Sequence, residues 1–575
     1  MKQLKGTSLF VKALKEEGVD KVFGYPGGMV TDIFDELYKE DEIEVILPRH
    51  EQALVHEADG YARSTGKVGV CLVTSGPGAA NMVTGIATAY YDSVPLVCFS
   101  GQVPLNLIGG DAFQEVDIIG ITRGICKYGV ILKDRKDLGR VIKEAFYIAR
   151  TGKPGPVVID LPKNIMVEMG DAEYPKEVNI RGYRPSTGVH IGQLKKAMGL
   201  LWKAEKPLLL IGGGVNIARA GDALTKFVEE TQIPVVTTIM GKGAIDTTHP
   251  NYIGNIGMHG EYAANMAVSE CDVLYSIGTR FSDRVTSKIS EFAKKAKIVH
   301  IDIDSAAISK NIKVDIPIVA DAGEALNAML RYVRRCDTEE WMEILRKWKE
   351  EFPLAMRPSK GVCPEAVITY INKNFERAIV VTDVGQHQMW TTQFLELTRE
   401  KQLLTSGGMG TMGYGLPAAI GARIGNPDCP VICITGDGGM QMNIQEMATA
   451  VAQELPVIIC IMNNSYLGMV RQIQELFYAR HYSSVCTRKR KGCDARCGGP
   501  SSKCPPYTPD FVKLAEAYDA FGIRVEKEEE IAPAFEAALQ HTKAPTIIEF
   551  IIDQKEMVLP MVQGGKPLTD MIMDY

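Results

Sequence analysis

The stretch "PVICITGDGGMQMNIQEMATAVAQELPVIICIMNN", residues 430–464, decides the fold class. Two short apolar runs flank a segment whose apolar residues recur at helical spacing, which predicts a strand, a helix and a second strand. Strands this apolar are typical of a parallel sheet that is covered on both faces. The carboxyl ends of neighbouring parallel strands meet at one edge, so we expect Asp437 and Asn464 to lie close together.

The residue types at these two strand ends favour a magnesium and diphosphate site. One carboxylate and one amide oxygen, completed by water and a backbone carbonyl, suit Mg²⁺, which usually bridges to phosphates of a ligand. The glycines around Asp437 allow backbone N–H groups to approach a diphosphate. The alternative is an ordinary Asp-Gly turn beside a polar strand end. A nicotinamide site is disfavoured, because its fingerprint places Gly-x-Gly-x-x-Gly directly before the helix.

Short apolar runs alternate with helical patterns along nearly the whole chain, as in "VPLVCFSG", "PLLLIGGG" and "KIVHIDID". This alternation predicts an α/β protein of mostly parallel sheets flanked by helices. Two charged stretches that bear Pro and Gly interrupt the pattern. They predict three domains, at residues 1–180, 190–335 and 360–575.

The composition excludes several classes of function. The 575 residues carry a net charge of −6, so there is no basic excess to bind nucleic acid. No apolar run approaches the ~18 residues of a membrane span, and the N-terminus lacks the apolar core of a signal peptide. We therefore expect a cytoplasmic protein without membrane or nucleic-acid partners.

Three further turns carry candidate site residues. Glu51 opens a predicted helix in "PRHEQALVHEADGYAR", Asn81 follows a strand in "SGPGAAN", and His387 follows another in "TDVGQHQMW". Each has a plain structural alternative. An acid at a helix start is stabilised by the helix dipole, and a turn can need glycine for its backbone conformation alone.

Together these segments resemble one family. "GDGG…NN" resembles the signature of enzymes that use thiamine diphosphate (ThDP). In order along nearly the whole chain, "YPGG", "RHEQ", "HEADGYAR", "SGPGAAN", "DAFQE", "TDVGQHQMW", "GTMGYGLPAAIGA" and "NNSYLGMVRQ" resemble the catalytic subunit of the acetolactate synthase (acetohydroxyacid synthase) family. The resemblance implies a domain for the ThDP pyrimidine, a central FAD-binding domain and a domain for the diphosphate and Mg²⁺.

The resemblance also implies roles for individual residues. Asp437, Asn464 and the backbone carbonyl of Tyr466 would bind Mg²⁺, and Glu51 would hydrogen-bond N1′ of the aminopyrimidine and favour its imino form. The other implied ThDP contacts are Pro77, Asn81, Gln386, His387, Gly410, Gly436, Gly438, Gly439 and Met469. Met412 would support the folded cofactor and is grouped with Glu51, Gln114 and Lys163 as catalytic, and the implied substrate contacts are Gly28, Phe113 and Ile473.

The implied reaction is decarboxylation of pyruvate on ThDP, followed by addition of the hydroxyethyl carbanion to a second 2-keto acid. Pyruvate as acceptor gives 2-acetolactate, and 2-ketobutyrate gives 2-aceto-2-hydroxybutyrate, in the first common step of isoleucine, valine and leucine biosynthesis. In the family, Glu51 and the metal ligands of one site come from different subunits. The resemblance thus implies a homodimer or homotetramer, and a small regulatory subunit is a further implied partner.

The middle unit resembles the FAD-binding domain of the biosynthetic members, through "PLLLIGGGVN", "GMHG", "RFSDR" and "HIDID". The implied FAD contacts are Lys153, Gly212, Gly213, Gly214, Met258, His259, Arg280, Arg284, Asp302 and Asp321, with the arginines at the phosphates and the aspartates at the adenosine end. The flavin would be structural, because the reaction involves no net redox change. Alone, the glycine run could equally be a tight turn.

Three positions depart from the family pattern. Ile473 stands where the family usually has Trp in the acceptor pocket, which predicts a weaker preference for 2-ketobutyrate over pyruvate and weaker binding of herbicides that stack on that ring. Ser282 replaces the usual Asp, and Lys153 replaces the usual Arg. These two changes weaken the expectation that FAD is retained.

One loop is longer than the corresponding connection in the family and carries Cys486, Cys493, Cys497 and Cys504. Four cysteines are able to hold zinc or an iron–sulfur cluster, although this spacing matches no standard motif. Disulfides do not persist in a reducing cytoplasm. A metal site, a redox role and a passive surface loop are therefore three open alternatives.

Other functions fit the same motifs less well. Pyruvate oxidase shares the architecture, ThDP and flavin, and would form acetate with transfer of electrons. Glyoxylate carboligase and sulfoacetaldehyde acetyltransferase are related alternatives, and Glu51 disfavours the former, which lacks an acid there. A non-catalytic binding module is disfavoured because every expected cofactor residue is present.

Overall fold

The computed structural model describes residues 3–357, 360–398, 403–494 and 496–574. It contains three parallel sheets of six strands each, one in each successive part of the chain. Helices flank every sheet, so the predicted α/β class with three sheet-containing units is confirmed. The exact domain limits at 1–180, 190–335 and 360–575 stay predictions.

The N-terminal unit begins with a short strand and a helix. Its strands are β1 (Gln3–Lys5), β2 (Lys21–Tyr25), β3 (Glu44–Ile46), β4 (Gly69–Val73), β5 (Leu96–Gln102), β6 (Tyr128–Ile131), β7 (Val157–Pro162) and β8 (Met169–Asp171). Its helices are α1 (Gly6–Glu16), α2 (Thr31–Leu37), α3 (Glu51–Thr65), α4 (Pro77–Asn81), α5 (Val83–Asp92), α6 (Ile118–Thr122), α7 (Leu138–Arg150) and α8 (Lys163–Val167). The sheet order is β3-β2-β4-β5-β7-β6, and β1 pairs with β8 apart from it.

The middle unit has the strand order of dinucleotide-binding folds. Its strands are β9 (Pro207–Ile211), β10 (Val235–Thr237), β11 (Tyr252–Asn255), β12 (Val273–Ile277), β13 (Lys297–Asp302) and β14 (Ile316–Val319). Its helices are α9 (Ile191–Leu201), α10 (Gly213–Ile217), α11 (Gly221–Thr231), α12 (Tyr262–Glu270), α13 (Asp283–Thr286) and α14 (Ala322–Met329). The order β11-β10-β9-β12-β13-β14 reverses direction between β9 and β12, where such sheets bind ligands.

The C-terminal unit follows helix α15 (Glu339–Glu351). Its strands are β15 (Ile379–Thr382), β16 (Leu403–Thr405), β17 (Val431–Gly436), β18 (Val457–Asn463), β19 (Phe521–Val525), β20 (Thr546–Ile551), β21 (Met561–Val562) and β22 (Met571–Ile572). Its helices are α16 (Pro364–Asn374), α17 (Gln386–Phe394), α18 (Gly415–Gly425), α19 (Asp437–Met440), α20 (Met447–Ala452), α21 (Gly468–Phe477), α22 (Phe511–Ala517) and α23 (Ile531–Gln540). The sheet order is β16-β15-β17-β18-β20-β19.

The first and last sheets share one topology. When the six strands of each sheet are counted along the chain, both have the order 2-1-3-4-6-5. The chain order reverses between β2 and β4 in one sheet and between β15 and β17 in the other. These two reversal points are where a parallel sheet offers a crevice for ligands beyond its strand ends.

Each sheet lies between two apolar layers, which explains why most strand residues are apolar. In the N-terminal unit, Leu72 and Phe99 pack into one layer, while Cys71 and Cys98 pack into the other. Helix α15 belongs to the packing of the middle unit, since Trp341 is buried there and its Nε1 donates to the carbonyl of Pro207 at 3.2 Å. Within the described part of the chain, no helix is long and apolar enough to span a membrane.

Two helices from different units pack with their backbones in close approach. A Cβ added to Gly60 of α3 would lie 2.0 Å from the carbonyl oxygen of Ala418 in α18. A Cβ added to Gly421 of α18 would lie 1.8 Å from the carbonyl oxygen of Glu57 in α3. Both positions therefore require glycine, and the contact joins the N-terminal unit to the C-terminal unit.

We predict that Gly421→Ala destabilises the protein, because the new methyl group would collide with the backbone of α3. Overpacking of this kind costs about 1–3 kcal/mol or more. Gly199→Ala is the matched control, since Gly199 lies in α9 and a Cβ there meets nothing within 4 Å. That change should stabilise by about 0.5–1 kcal/mol. Denaturant unfolding of both variants measures this, and equal stabilities would contradict the tight helix contact.

Candidate active site

The predicted metal ligands lie together at the carboxyl ends of β17 and β18. Gly436 pairs with Met462 in the register of these strands, and Asp437 follows the first while Asn464 follows the second. The Oδ1 atom of Asn464 accepts from the backbone N–H of Tyr466 at 3.0 Å, and its Nδ2 donates to Oε1 of Gln386 at 3.0 Å. Asn464 is thereby held in one orientation beside the turn that carries Asp437.

Asp437 is a buried acid in a position that fits a cation. Its side chain is 1% exposed, and burial raises the pKa of its carboxyl to about 7. A carboxylate is poorly solvated in such a place unless a cation or donor compensates its charge. An acid, an amide oxygen and a backbone carbonyl form a donor set of hard oxygens, which suits Mg²⁺. The residues present thus fit the metal that the sequence predicts.

The "GDGG" segment begins a helix instead of forming a simple turn. Residues Asp437–Met440 make the single turn α19. A Cβ on Gly436 would lie 3.0 Å from Nδ1 of His387, and a Cβ on Gly438 would lie 2.9 Å from Leu467. The absence of these side chains keeps the strand end open, which fits a diphosphate.

His387 faces the same opening in its neutral form. Burial lowers the pKa of the imidazole to about 3, and its Nε2 atom has no hydrogen-bond partner among the described residues. Gln386, at the start of α17, is held by Gln472, whose Oε1 accepts from Nε2 of Gln386 at 2.9 Å. The pair Gln386-His387 therefore offers polar groups to a ligand at the reversal point between β15 and β17.

One cavity of about 1110 Å³ is lined mainly by the C-terminal and middle units, with one side formed by residues of the N-terminal unit such as Arg63, Asp92 and Lys153. This is above the ~300–1,000 Å³ of a site for a single drug-sized ligand. Most of the residues predicted for the diphosphate, the metal and FAD line it: Gln386, His387, Gly410, Met412, Gly436, Asp437, Gly438, Gly439, Asn464, Tyr466, Met469 and Ile473, with Lys153, Gly213, Gly214, Met258, His259, Arg280, Arg284, Asp302 and Asp321. Both predicted cofactor sites thus open into one space.

The middle-unit wall carries buried polar groups suited to a dinucleotide. The half-buried His259 has no partner for Nδ1 among the described residues, and desolvation lowers its pKa to about 4. Burial also raises the pKa of Asp302, at the end of β13, to about 6. Asp321 also caps helix α14, since its Oδ1 accepts from the N–H of Gly323 at 2.9 Å. These groups lie around the crevice beyond β9 and β12, which fits FAD.

Gly212 differs from the prediction. It is not among the residues that line the cavity. A Cβ there would lie 2.2 Å from the carbonyl oxygen of Gly278, so this glycine permits close packing of two strand ends. Its neighbours Gly213 and Gly214 do reach the cavity.

A second cluster lies in the N-terminal unit, at the reversal point between β2 and β4. The Oε2 atom of Glu51 accepts from Nδ2 of Asn81 at 2.9 Å, and Oε1 lies beside Gly78. Lys163 donates to the carbonyl of Gly28 at 2.9 Å. Gln114 packs against Gly76, the residue before Pro77, and adopts a left-handed φ of +60°.

The two clusters are separate within one chain. Glu51, Asn81, Gln114 and Lys163 are not among the residues that line the cavity, and neither are Gly28, Pro77 and Phe113. Phe113 is 83% exposed, an unusual state for a large aromatic side chain. An acid and a metal site that act on one ligand need to line one space, and within one chain Glu51 does not line the cavity that Asp437 and Asn464 line.

Three family models match the chain in order. Residues 4–121 match the N-terminal TPP binding domain of thiamine pyrophosphate enzymes, 194–329 their central domain, and 383–550 their C-terminal TPP binding domain. The acetolactate synthase large subunit of Haemophilus influenzae is 42% identical over 100% of this chain and 99% of its own length. The probable acetolactate synthase large subunit of Methanocaldococcus jannaschii is 44% identical over 99% of this chain and 95% of its own length. The isozyme 3 large subunit of Escherichia coli is 42% identical over 98% of both.

The chain belongs to the acetolactate synthase large-subunit family. The predictions of the family, of its α/β architecture and of a ThDP-dependent enzyme of the acetolactate synthase type are thereby confirmed. Thiamine pyrophosphate is another name for ThDP. The C-terminal match, residues 383–550, includes the "GDGG…NN" segment around the cavity. The residue-by-residue roles stay predictions.

An ionic network that the sequence did not reveal holds the glycine-rich turn of this acetolactate synthase family member. The carboxylate of Asp92 accepts the backbone N–H groups of Gly407 at 3.0 Å and Gly408 at 2.7 Å. Arg63 donates to both Asp92 and Asp59. Arg63 stands in the motif "HEADGYAR", which marks it as part of the family pattern. Its partner Asp92 lies 29 positions further along, so the sequence alone did not connect the two.

A second missed contact reaches the helix that carries Glu51. The carboxylate of Glu446, nine positions after Asp437, accepts from the backbone N–H of Arg49 at 3.1 and 3.0 Å. It lies beside the buried Glu57 of α3. Burial and then the charge of Glu446 raise the pKa of Glu57 well above its usual range.

We predict that Glu57→Gln makes the protein's stability less dependent on pH. When folding raises the pKa of an acid, the protonated acid adds to the free energy of unfolding at pH values below its usual pKa. This contribution is lost as the pH rises towards the folded-state pKa. The thermal midpoint of the unchanged protein should therefore fall relative to that of Glu57→Gln as the pH rises from about 5 to about 9.

Glu516→Gln, an exposed change on α22, is the control and should follow the unchanged protein at every pH. Thermal unfolding followed by circular dichroism measures all three proteins. Parallel pH profiles for the unchanged protein and Glu57→Gln would show that Glu57 ionises normally.

Proposed function

We propose that the protein condenses pyruvate with a second 2-keto acid, pyruvate or 2-ketobutyrate, with loss of CO₂. The observation that carries this proposal is the cavity wall formed by the "GDGG" and "NN" strand ends, in a chain 42% identical to an acetolactate synthase large subunit over its entire length. ThDP supplies, when bound, the electron sink that makes decarboxylation of a 2-keto acid possible. The chain's own residues bind, orient and protonate.

Asp437 and Asn464 act as anchors for Mg²⁺, with the carbonyl of Tyr466. Their role is to fix the diphosphate end of the cofactor, and the burial of Asp437 supports it, because the metal compensates the charge of the carboxylate. Gln386 and the neutral His387 add polar contacts from α17. Met412 would support the folded cofactor, and its Cε lies 3.6 Å from where a Cβ on Gly438 would be.

Glu51 would hydrogen-bond N1′ of the aminopyrimidine and favour its imino form. Its Oε2 is occupied by Asn81, which leaves Oε1 at the open side of the turn to bond a ring nitrogen of the ligand. A general acid or base in this position contributes typically 10²–10⁴-fold to a rate. Gln114, Lys163, Gly28 and Phe113 border the path of the substrate beside it.

A second copy of the chain completes each site. The separation of the Glu51 cluster from the cavity within one chain supports this arrangement, as does the exposed Phe113 beside Gln114. A homodimer or homotetramer follows. The relatives' names describe them as large subunits, and a small regulatory subunit is therefore a further proposed partner.

FAD occupies the middle-unit end of the cavity as a structural cofactor. Arg280 and Arg284 meet its phosphates, and Asp302 meets the adenosine end. The 3-2-1-4-5-6 strand order and the unpartnered Nδ1 of His259 support a dinucleotide there. The condensation involves no net oxidation, so the flavin stays outside the chemistry.

The decisive experiment is acetolactate formation from pyruvate with ThDP and Mg²⁺, with and without FAD. The unchanged protein should form acetolactate, and Glu51→Gln should reduce kcat by about 10²–10⁴-fold. Glu516→Gln is the control and should keep full activity. Acetate formation that requires an electron acceptor would identify a pyruvate oxidase, and no acetolactate at saturating cofactors would overturn the proposal.

The acceptor preference is tested at Ile473. The unchanged protein should show little bias when pyruvate and 2-ketobutyrate compete at equal concentration, because Ile473 offers the extra methyl group a smaller apolar contact than Trp. Ile473→Trp should raise the ratio of 2-aceto-2-hydroxybutyrate to acetolactate by about tenfold or more. Leu539→Trp, at an exposed position of α23, is the control. A strong 2-ketobutyrate bias in the unchanged protein would contradict the role of Ile473.

A further inference from the structure

The cysteine-bearing loop contacts the predicted metal site at both of its ends. We define it as the strap, residues 485–507, between α21 and α22. Within the described ranges, no three or more His, Cys, Asp or Glu side chains are grouped so as to hold a metal ion. The backbone and side-chain contacts of the strap point to a different role.

The first end of the strap runs alongside the segment that follows Asn464. Tyr466 and Cys486 form an antiparallel bridge. The N–H of Leu467 donates to the carbonyl of Val485 at 2.8 Å, and the N–H of Thr487 donates to the carbonyl of Ser465 at 3.0 Å. Ser465 has a left-handed φ of +60°, a costly conformation that such flanking contacts maintain.

Thr487 contacts the predicted metal ligand itself. Its Oγ1 donates a hydrogen bond to Oδ2 of Asp437 at 3.0 Å. The bond is buried on the side of Asp437 and connects positions 50 apart in the chain. With Oδ2 bonded to the hydroxyl, the carboxylate is held in one orientation.

The other end of the strap meets the start of the same one-turn helix. The hydroxyl of Tyr507 accepts from Nε2 of Gln441 at 2.6 Å and donates to the backbone carbonyl of Asp437 at 3.4 Å. The Tyr507 ring stacks on Phe511, whose side chain is buried in the core of the C-terminal unit. Both ends of the strap therefore contact Asp437, Thr487 at its carboxylate and Tyr507 at its backbone carbonyl.

We propose that Thr487 is a positioning residue for Asp437, and that the strap fixes the metal end of the site through Thr487 and Tyr507. The inference rests on the proposed function insofar as Asp437 binds Mg²⁺. Mg²⁺ demands near-ideal octahedral geometry. Partners that orient a ligand typically change metal affinity by 10–100-fold when removed. A hydroxyl bonded to a buried carboxylate is such a partner.

The thiols serve the strap itself. The Sγ atoms of Cys493 and Cys504 each accept a backbone N–H three positions earlier, from Arg490 and Ser501, both at 3.3 Å. The thiol of Cys497 donates to the carbonyl of Gly499 at 3.1 Å. These bonds close turns at the exposed tip, away from Asp437. The orientation of Asp437 therefore depends on Thr487 and not on Cys493, Cys497 or Cys504.

The test is titration calorimetry of Mg²⁺ at saturating ThDP, which needs no turnover. Thr487→Val should weaken the apparent Mg²⁺ affinity by about 10–100-fold. Thr487→Ser retains the hydroxyl and should restore affinity close to that of the unchanged protein. The combined variant Cys493→Ser, Cys497→Ser, Cys504→Ser should bind Mg²⁺ normally, as should Ser502→Ala on the exposed tip.

Tyr507→Phe provides a second, independent variant if Thr487→Val fails to fold, which thermal unfolding without ligands will show. It should weaken the Mg²⁺ affinity less than Thr487→Val, because its bond to the backbone carbonyl of Asp437 is longer, at 3.4 Å, than the 3.0 Å bond of Thr487 to the carboxylate. Unchanged Mg²⁺ affinity in Thr487→Val would overturn the inference, and so would equal losses in Thr487→Ser and Thr487→Val. If the unchanged protein binds Mg²⁺ and ThDP but forms no acetolactate, the proposed function fails while this inference stands.

Discussion

The arrangement of the site depends on the burial of one carboxylate at the end of a central strand. Asp437 follows β17, whose neighbours β15 and β18 cover it on both sides in the sheet. The position is too buried to stabilise a lone negative charge. Three neighbouring features help to compensate the negative charge of Asp437. They are a hydroxyl from the strap, an oriented amide and an opening between glycines where a cation fits.

The fold class was predictable from the sequence because buried parallel strands appear in it as short apolar runs between helical patterns. Strands covered on both faces are apolar at most positions, and the stretch at residues 430–464 alone shows one complete crossover. The shared strand order of the first and last sheets was not predictable, because the same topology can be formed by segments with no residue repeat. The pairing of strands depends on long-range packing, which short-range periodicity does not encode.

The candidate site was predictable where residue types had a chemical reason to be together, and not where geometry alone decided. Asp437 and Asn464 follow from the rule that parallel strand ends share an edge. Thr487 could not be found this way, because it stands in a loop whose sequence matches no standard motif, and its bond to Asp437 spans 50 positions. Gly212 shows the reverse case: the glycine run suggested a ligand, whereas the first glycine is needed for backbone packing against Gly278.

The contact between α3 and α18 has a consequence for motion. With Gly60 facing the backbone of α18 and Gly421 facing the backbone of α3, the helices have no layer of flexible side chains between them at these points. Such an interface cannot slide by small rotamer changes, so the first and last units behave as one rigid block. Admission of substrate and release of product then depend on movements of surface segments, with no hinge between these two sheets.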